Sequence, residues 1–276
     1  RFVLAVLVGL VLAQTGASTQ ALCRNPLADP SIIGISAGAA MVAVAFIALS
    51  AQFNFNAQLY LPYASFLGAL GVTSLVYFIA KQQGQINITT LILVGVAINA
   101  LAFAVIGLLS FFADDSALRL INYWTMGSLG GASWSTIIQA APLLFISLIG
   151  LWRLKNPMNL LLIGESQAQY LGVDTNKLKL YVIILVALGV GAVVALTGLI
   201  GFVGLVVPHI ARLMVGPHLR NMLPLCMLIG VVVLLLSDWL ARIVIMPAEL
   251  PIGIITALLG APLFIYLIIK NKRDWS

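Results

Sequence analysis

The chain has 276 residues, of which 62% are hydrophobic and 8% are charged, and its mean hydropathy is +1.13. A soluble protein of this composition would have almost nothing polar to expose to water, so the composition excludes a soluble globular fold. The net charge of +6 does not indicate a nucleic-acid partner, because the basic residues are concentrated on one side of the predicted membrane spans.

Apolar runs near the length that crosses a bilayer, about 20 residues, recur along the whole chain. They are continuous and rich in Leu, Ile, Val, Ala and Gly, which favours helices over the alternating segments of a transmembrane barrel. We therefore predict an all-α, polytopic membrane protein with nine spans, at about 2–22, 35–52, 59–80, 90–112, 135–152, 179–197, 199–216, 222–240 and 252–269. The first run is too long for a signal peptide and is followed by further spans, so we assign it as a span.

Charge asymmetry orients these helices. The loops after the first, third, fifth and seventh spans, together with the C-terminus, hold Arg24, Lys81, Arg153, Lys155, Lys177, Arg212, Arg220, Lys270, Lys272 and Arg273. The opposite side holds Arg1, Arg119 and Arg242 together with Asp114, Asp115, Asp238 and Glu249. Since positive charge accumulates on the cytoplasmic side, the first set is predicted to be cytoplasmic and residue 1 to start outside.

Two similar blocks of sequence suggest an internal repeat. Thr15-Gly16 and Thr197-Gly198 each close a span and are each followed by a proline-containing break, "NPLADP" or "VVPH". The first block runs inward and the second runs outward in the predicted topology. This is the pattern of an inverted repeat, which is typical of transporters.

Signatures of catalysis are missing from the sequence. There is no GxSxG, no HExxH and no glycine-rich phosphate loop, and no His, Cys and carboxylate residues occur at metal-ligand spacing. We predict no catalytic residue, no bound metal and no cofactor in this chain. If transport requires ATP, another chain must bind and hydrolyse it.

Residues 153–178 form a polar segment that is too long for a simple connection between two spans. Leu161, Leu162, Ala168 and Leu171 form a predicted apolar stripe, and Gly172 fits the end of a helix. Two interpretations remain open from these residues alone. The segment is a pair of short helices lying on the membrane surface, or it inserts into a cytoplasmic partner.

Five motifs occur in the order found in one family, and the chain resembles that family over essentially its whole length. They are "RNPLADPSIIGISAGAA" (24–40), "YWTMGSLGGASW" (123–134), "LLIGESQAQYLGV" (161–173), "GFVGLVVPHIARL" (201–213) and "AELPIGIITALLGAPLF" (248–264). The family comprises the permease subunits of ABC importers for ferric siderophores, haem and cobalamin.

The resemblance implies one permease domain over residues 1–276 in the bacterial cytoplasmic membrane. It implies a second permease chain, most simply in a homodimer, two ATP-binding subunits that hold ATP and Mg, and an external substrate-binding protein. Family members have ten helices, and an Arg-Leu-Pro-Arg pattern that ends the extra helix would place its last residue at Arg1. We therefore expect the N-terminal helix to be missing from this sequence.

The resemblance also implies roles for individual residues. Glu165, Ala168 and Gly172 match the family's coupling helices, which contact the ATP-binding subunit. Arg1 and Arg242 match external arginines that pair with carboxylates on the binding protein. For Arg242 the local alternative is an ion pair with Asp238, which lies one turn earlier on the same helix.

Four further residues match the cytoplasmic gate of the translocation pathway: Asn25, Leu27, Thr89 and Thr90. The alternative for the two threonines is ordinary helix capping, because Thr before an apolar run is a good helix start.

The implied function is ATP-driven import of a metal chelate by alternating access, with a ferric siderophore as the first expectation and haem or cobalamin as alternatives. Two other classes compete with this reading. An ion-coupled secondary transporter would require ionisable residues within the spans, where the sequence places almost none apart from Asp238. A membrane-embedded enzyme would require a polar catalytic cluster at one depth, and the sequence contains none.

Overall fold

A computed structural model describes residues 1–53 and 57–270. This part of the chain is almost entirely helical, as the sequence predicts. The helices are α1 (Phe2–Cys23), a 3-10 helix (Pro30–Ile33), α2 (Ile35–Phe53), α3 (Ala57–Ala80), α4 (Ile88–Phe112), α5 (Asp115–Thr125), α6 (Trp134–Arg153), α7 (Lys155–Ile163), α8 (Glu165–Tyr170), α9 (Thr175–Thr197), α10 (Val203–Val215), α11 (Leu219–Ile243) and α12 (Ile252–Lys270). Strands β1 (Lys81–Gln82) and β2 (Gln85–Ile86) form one antiparallel hairpin.

Each of the nine predicted spans coincides with a helix. Within the described residues, α1, α3, α4, α6, α9 and α11 are long and apolar enough to cross a membrane. The apolar parts of α2, α10 and α12 are shorter. The protein is therefore an all-α polytopic membrane protein.

The predicted span at 199–216 is corrected by the structure. Helix α10 has 13 residues, which corresponds to about 20 Å, and this is shorter than the hydrocarbon core of about 30 Å. The helix starts late because the chain leaves α9 at Gly198 with a φ of 70° and reaches Phe202 with a φ of 67°. Neither value is compatible with a continuous right-handed helix.

Two elements are absent from the sequence prediction. The first is α5, whose N-cap Asp114 accepts a hydrogen bond from the backbone N–H of Ala117. The second is the β1–β2 hairpin, in which Gln83 and Gly84 both have positive φ, as the two central residues of a tight hairpin turn require. The hairpin is too short to give a hydrophobic pattern, and α5 is amphipathic but too short and too polar to be identified as a membrane span.

Helix α1 lies at the centre of the fold. In its most apolar section 72% of the residues are buried, against 17% for α4. Gly9 of α1 meets Gly230 of α11, and Gly16 of α1 meets Gly204 of α10, with backbone against backbone. Small residues at such crossings let helices approach closely, which is how helices associate in a membrane.

The two Thr-Gly pairs occupy different settings. Gly16 lies inside α1, whereas Gly198 follows the last residue of α9. Both threonines donate their hydroxyl to the carbonyl four residues earlier, Thr15 to Val11 at 2.7 Å and Thr197 to Val193 at 2.9 Å. The inverted repeat suggested by these pairs stays a prediction.

Replacing Gly230 by Ala is expected to destabilise the fold. The new Cβ would lie 2.5 Å from the carbonyl oxygen of Gly9 and 2.6 Å from the Cβ of Ala13, so α1 and α11 would have to separate. Overpacking of this kind costs about 1–3 kcal/mol. Gly71→Ala in α3 is the matched control, because a Cβ there meets nothing within 4 Å. We expect a lower melting temperature for Gly230→Ala than for Gly71→Ala when both are measured in the same detergent. Equal melting temperatures would contradict the prediction.

Candidate functional site

One end of the molecule carries a polar cleft of about 940 Å³. It is bordered by the hairpin, the start of α4, Arg24 at the end of α1, and the region of α8. The side chains of α8 and α9 that line it are Glu165, Ser166, Gln169 and Lys179. The loops after the first, third and fifth predicted spans, which were assigned to one side of the membrane, thus meet in space. Of the basic residues assigned to this side, Lys272 and Arg273 lie outside the described residues.

The polar segment folds into α7 and α8, as predicted, with a sharp break between them. Gly164 has a φ of 145° and separates the two helices, and Gly172 has a φ of 87° where the chain leaves α8. Only glycine adopts such values without strain. Asp174 then caps α9, and the hydrogen bond from the backbone N–H of Lys177 lowers the pKa of the Asp174 carboxyl.

The three predicted coupling residues differ in their surroundings. Ala168 is fully buried, Gly172 is exposed, and Glu165 is partly exposed and forms an ion pair with Lys179. Ala168 therefore lies on the buried face of α8, where the helix packs against the rest of the protein. Of these three residues, Gly172 and the open side of Glu165 face outward.

Leu171, the last residue of the predicted apolar stripe, is not buried as Ala168 is. Leu171 is 63% exposed and Tyr170 is 90% exposed. The helical period ends at Tyr170, because the chain turns through Gly172, and Leu171 projects outward instead of following Ala168 inward. Tyr170 and Leu171 thus form an exposed apolar surface next to Gly172. Leu171 belongs to the predicted stripe, whereas Tyr170 is not among the predicted residues.

Lys179 is a second residue that the sequence prediction missed. It starts the sixth predicted span, yet its side chain is 2% exposed. Its Nζ donates to the carbonyl oxygen of Ile86 at 2.9 Å and to Oε1 of Glu165. A buried ammonium group requires such partners. No local pattern predicts this contact, because Ile86 is 93 residues away along the chain.

The predicted gate residues of the first loop lie just after α1. Arg24 has a φ of 48° and ends the helix, and the side chain of Asn25 accepts a hydrogen bond from the backbone N–H of Leu27 at 2.9 Å. Asn25 is exposed and Leu27 is half-buried. Asn25 thus fixes the turn that presents Leu27.

The predicted gate residues of the second loop lie in the first turn of α4. The N-cap is Asn87, whose side chain accepts a hydrogen bond from the backbone N–H of Thr90 at 3.0 Å. The capping alternative for Thr89 and Thr90 is therefore wrong, and neither side chain is committed to the cap. Thr89 is exposed and lines the cleft.

The opposite end of the molecule carries a charged cluster around Asp238. Its carboxylate accepts from Nε of Arg1 at 2.8 Å and pairs with Nη2 of Arg242 at 3.1 Å, while Arg1 also pairs with Glu249 at 2.7 Å. Asp238 is 5% exposed, whereas Arg242 is 47% exposed. The local pair considered for Arg242 is thus present, and half of its side chain still faces outward.

Comparison with known proteins assigns the chain to a family. The model of the FecCD transport family matches residues 1–270. The hemin transport system permease protein HmuU of Yersinia pestis is 41% identical, over 100% of this chain and 83% of the relative. The vitamin B12 import system permease protein BtuC of Vibrio cholerae is 38% identical, over 98% of this chain and 81% of the relative.

A solved structure agrees with the sequence relatives. It is described as an inward-facing conformation of the metal-chelate type of ABC transporter, and it matches with a TM-score of 0.90 at 35% identity, covering 98% of this chain and 85% of that one. The chain belongs to the FecCD transport family. It is a multi-pass membrane permease of the ABC-transporter class and not a catalytic subunit.

Replacing Asp238 by Asn is expected to destabilise the end of the protein that carries the charged cluster. The change leaves Arg1 and Arg242 without their shared, nearly buried carboxylate, and hydrogen bonds to charged groups contribute about 1.5–3 kcal/mol. Glu249→Gln is the control, because that carboxylate is 46% exposed and such pairs contribute about 0–1 kcal/mol. Thermal unfolding of both variants measures the difference. Equal decreases in stability for the two variants would mean that the burial of Asp238 does not increase its contribution to stability.

Proposed function

We propose that this chain is the permease subunit of an ATP-driven importer that moves a metal chelate from an external binding protein to the cytoplasm by alternating access. Relatives named for hemin and for vitamin B12 support a chelate as cargo. A ferric siderophore is the cargo expected from the resemblance, and haem and cobalamin are the alternatives. The proposed location is the bacterial cytoplasmic membrane, with the cleft on the cytoplasmic side.

The observation that carries this proposal is the position of α8 beside both gate loops. Glu165 of α8, Arg24 beside the first loop and Thr89 in the second loop border the same cleft. A partner that moves α8 would therefore act close to the predicted gate. Alternating access requires such a contact, because a ligand shifts a conformational equilibrium only through a difference in interaction energy between the two states.

We propose that a separate subunit binds ATP and Mg and hydrolyses the nucleotide, with two copies in the complex. Tyr170, Leu171 and Gly172 form an exposed, largely apolar end of α8 that is suited to insertion into a groove on that subunit. Exposed aromatic and aliphatic anchors of this kind contribute strongly to protein interfaces. Glu165 and Ala168 then hold α8 on the permease side of the contact.

A second permease chain completes the proposed pathway. Helix α4 is the least buried of the six long apolar helices, and it exposes Phe103, Phe111 and Phe112. Lipid covers part of any such surface. A second copy of the chain packed along this helix would enclose a pathway with Thr89 and Thr90 at its cytoplasmic mouth.

The proposed function is tested by reconstituting the permease and its ATP-binding subunits in proteoliposomes that are supplied with the binding protein. Hemin, cyanocobalamin and a ferric hydroxamate siderophore are offered separately. We expect accumulation of one chelate with ATP and none with ADP. Uptake driven by an imposed proton or sodium gradient without ATP would contradict the proposal and favour a secondary transporter.

We propose that the binding protein docks on the external end at the arginines Arg1 and Arg242. Arg242→Ala should weaken binding less than Arg242→Glu, because the glutamate both repels a partner carboxylate and faces Asp238. An exposed ion pair contributes roughly 0.2–1 kcal/mol, whereas loss of a desolvated interfacial pair costs about 2–5 kcal/mol. Affinity measured against salt concentration separates these cases. If Arg242→Glu binds like the unmodified chain, the arginine serves its own helix alone.

A further inference from the structure

Three elements at the cytoplasmic end are joined by one buried side chain. Lys179 in the first turns of α9 donates from Nζ to Oε1 of Glu165, the first residue of α8, and to the carbonyl oxygen of Ile86, the last residue of β2. The ammonium group is enclosed, with 2% of the side chain exposed, whereas the Glu165 side chain is 34% exposed. One end of this linkage is therefore accessible to a partner and the other is inside the permease.

The Ile86 residue is held on both sides by α9. Its carbonyl oxygen accepts from Lys179, and its N–H donates to Oδ1 of Asn176 at 3.3 Å. The next residue, Asn87, is the N-cap of α4 and is bonded to Thr90. Asn87 alone separates Ile86 from the first residue of α4, and its side chain is hydrogen-bonded within the first turn of that helix. We therefore expect a displacement of Ile86 to reach the turn that carries Thr89 and Thr90.

The linkage borders open space on one side. Glu165, Lys179, Ile86 and Thr89 all line the polar cleft of about 940 Å³, so α8 and the hairpin have room to shift relative to the rest of the molecule. Packed interiors transmit small displacements because they are close to maximally dense. Lys179 is the side chain of α9 that bonds to both α8 and the hairpin, whereas Asn176 bonds to the hairpin and Thr175 bonds to α8.

We infer that Lys179 is a positioning residue that couples movement of α8 to the N-terminal turn of α4. The inference rests on the proposed function, in which α8 contacts an ATP-binding subunit. When α8 moves, Glu165 carries Lys179 with it, because separating the pair would leave a buried ammonium group without its counter-charge. Lys179 in turn displaces Ile86 through the hydrogen bond to its carbonyl oxygen, and this displacement moves the residues of the predicted gate.

The test uses the intact complex of the permease with its ATP-binding subunits in nanodiscs. Hydrogen exchange of the backbone amides is measured by mass spectrometry without nucleotide and with ATP plus vanadate. This readout needs no transported substrate. In the unmodified complex we expect nucleotide to alter exchange in residues 165–170 and, by about fivefold or more, in residues 81–90, since allosteric coupling in proteins has at least this size.

The decisive variant is the double substitution Lys179→Met and Glu165→Gln. It removes both charges, so no unpaired charge is left buried, and it preserves the approximate size of both side chains. We expect nucleotide still to alter exchange in residues 165–170, while residues 81–90 no longer respond. Lys179→Met alone removes both hydrogen bonds and leaves only the Glu165 carboxylate, which is 34% exposed and can be solvated by water. It should give the same loss of transmission, which provides a second variant if the double one folds poorly.

The neighbouring ion pair between Asp174 and Lys177 supplies the matched control. It has an N–O distance of 3.0 Å and side chains that are 50% and 71% exposed. Asp174→Asn with Lys177→Met keeps an N-cap residue and should leave the response of residues 81–90 intact. If nucleotide still alters hydrogen exchange in residues 81–90 of the double variant, the inference about Lys179 is overturned and the proposed function is unaffected. Absence of any nucleotide response in residues 165–170 of the unmodified complex overturns the proposed coupling element itself.

Discussion

Close contact between helix backbones at the glycines of α1 is the constraint on which the rest of the structure depends. In a membrane, apolar side chains gain little by leaving lipid for protein, so helices associate through close packing and polar contacts. Gly9 against Gly230 and Gly16 against Gly204 bring α11 and α10 directly onto α1. This arrangement makes α1 the most buried of the long helices and fixes the positions of both its ends, where the first predicted gate loop and the charged cluster around Asp238 lie.

The helices were predictable because their signal is local. The length and apolar character of a span are properties of consecutive residues, and all nine predicted runs coincide with helices. The extent of α10 was not predictable in this way. Residues 199–202 are as apolar as the helix that follows, and only the positive φ values at Gly198 and Phe202 show that the chain is not helical there.

The functional end was predictable only in part. The unusual length and polarity of residues 153–178 pointed to α7 and α8, and Gly172 marked the end of α8 correctly. The burial of Lys179 and the exposure of Leu171 depend on contacts and on a chain reversal that sequence periodicity does not encode. A lysine at the start of an apolar run has the pattern of an interfacial anchor. Its partner Glu165 lies 14 residues earlier, across a loop.

The hydroxyl groups of α1 have a consequence for how the helices can move. Thr15 and Thr19 donate to carbonyl oxygens of their own helix, so neither side chain ties α1 to a neighbour. The side-chain hydrogen bonds that we find from α1 to α10 both involve Gln20, which donates to the Leu205 carbonyl at 3.2 Å and accepts from Arg212 at 2.8 Å. The rest of the interface between the two helices is van der Waals packing, without side-chain hydrogen bonds. A lengthwise shift of α10 along α1 would therefore break hydrogen bonds at a single side chain, near the end of α1 that leads into Arg24.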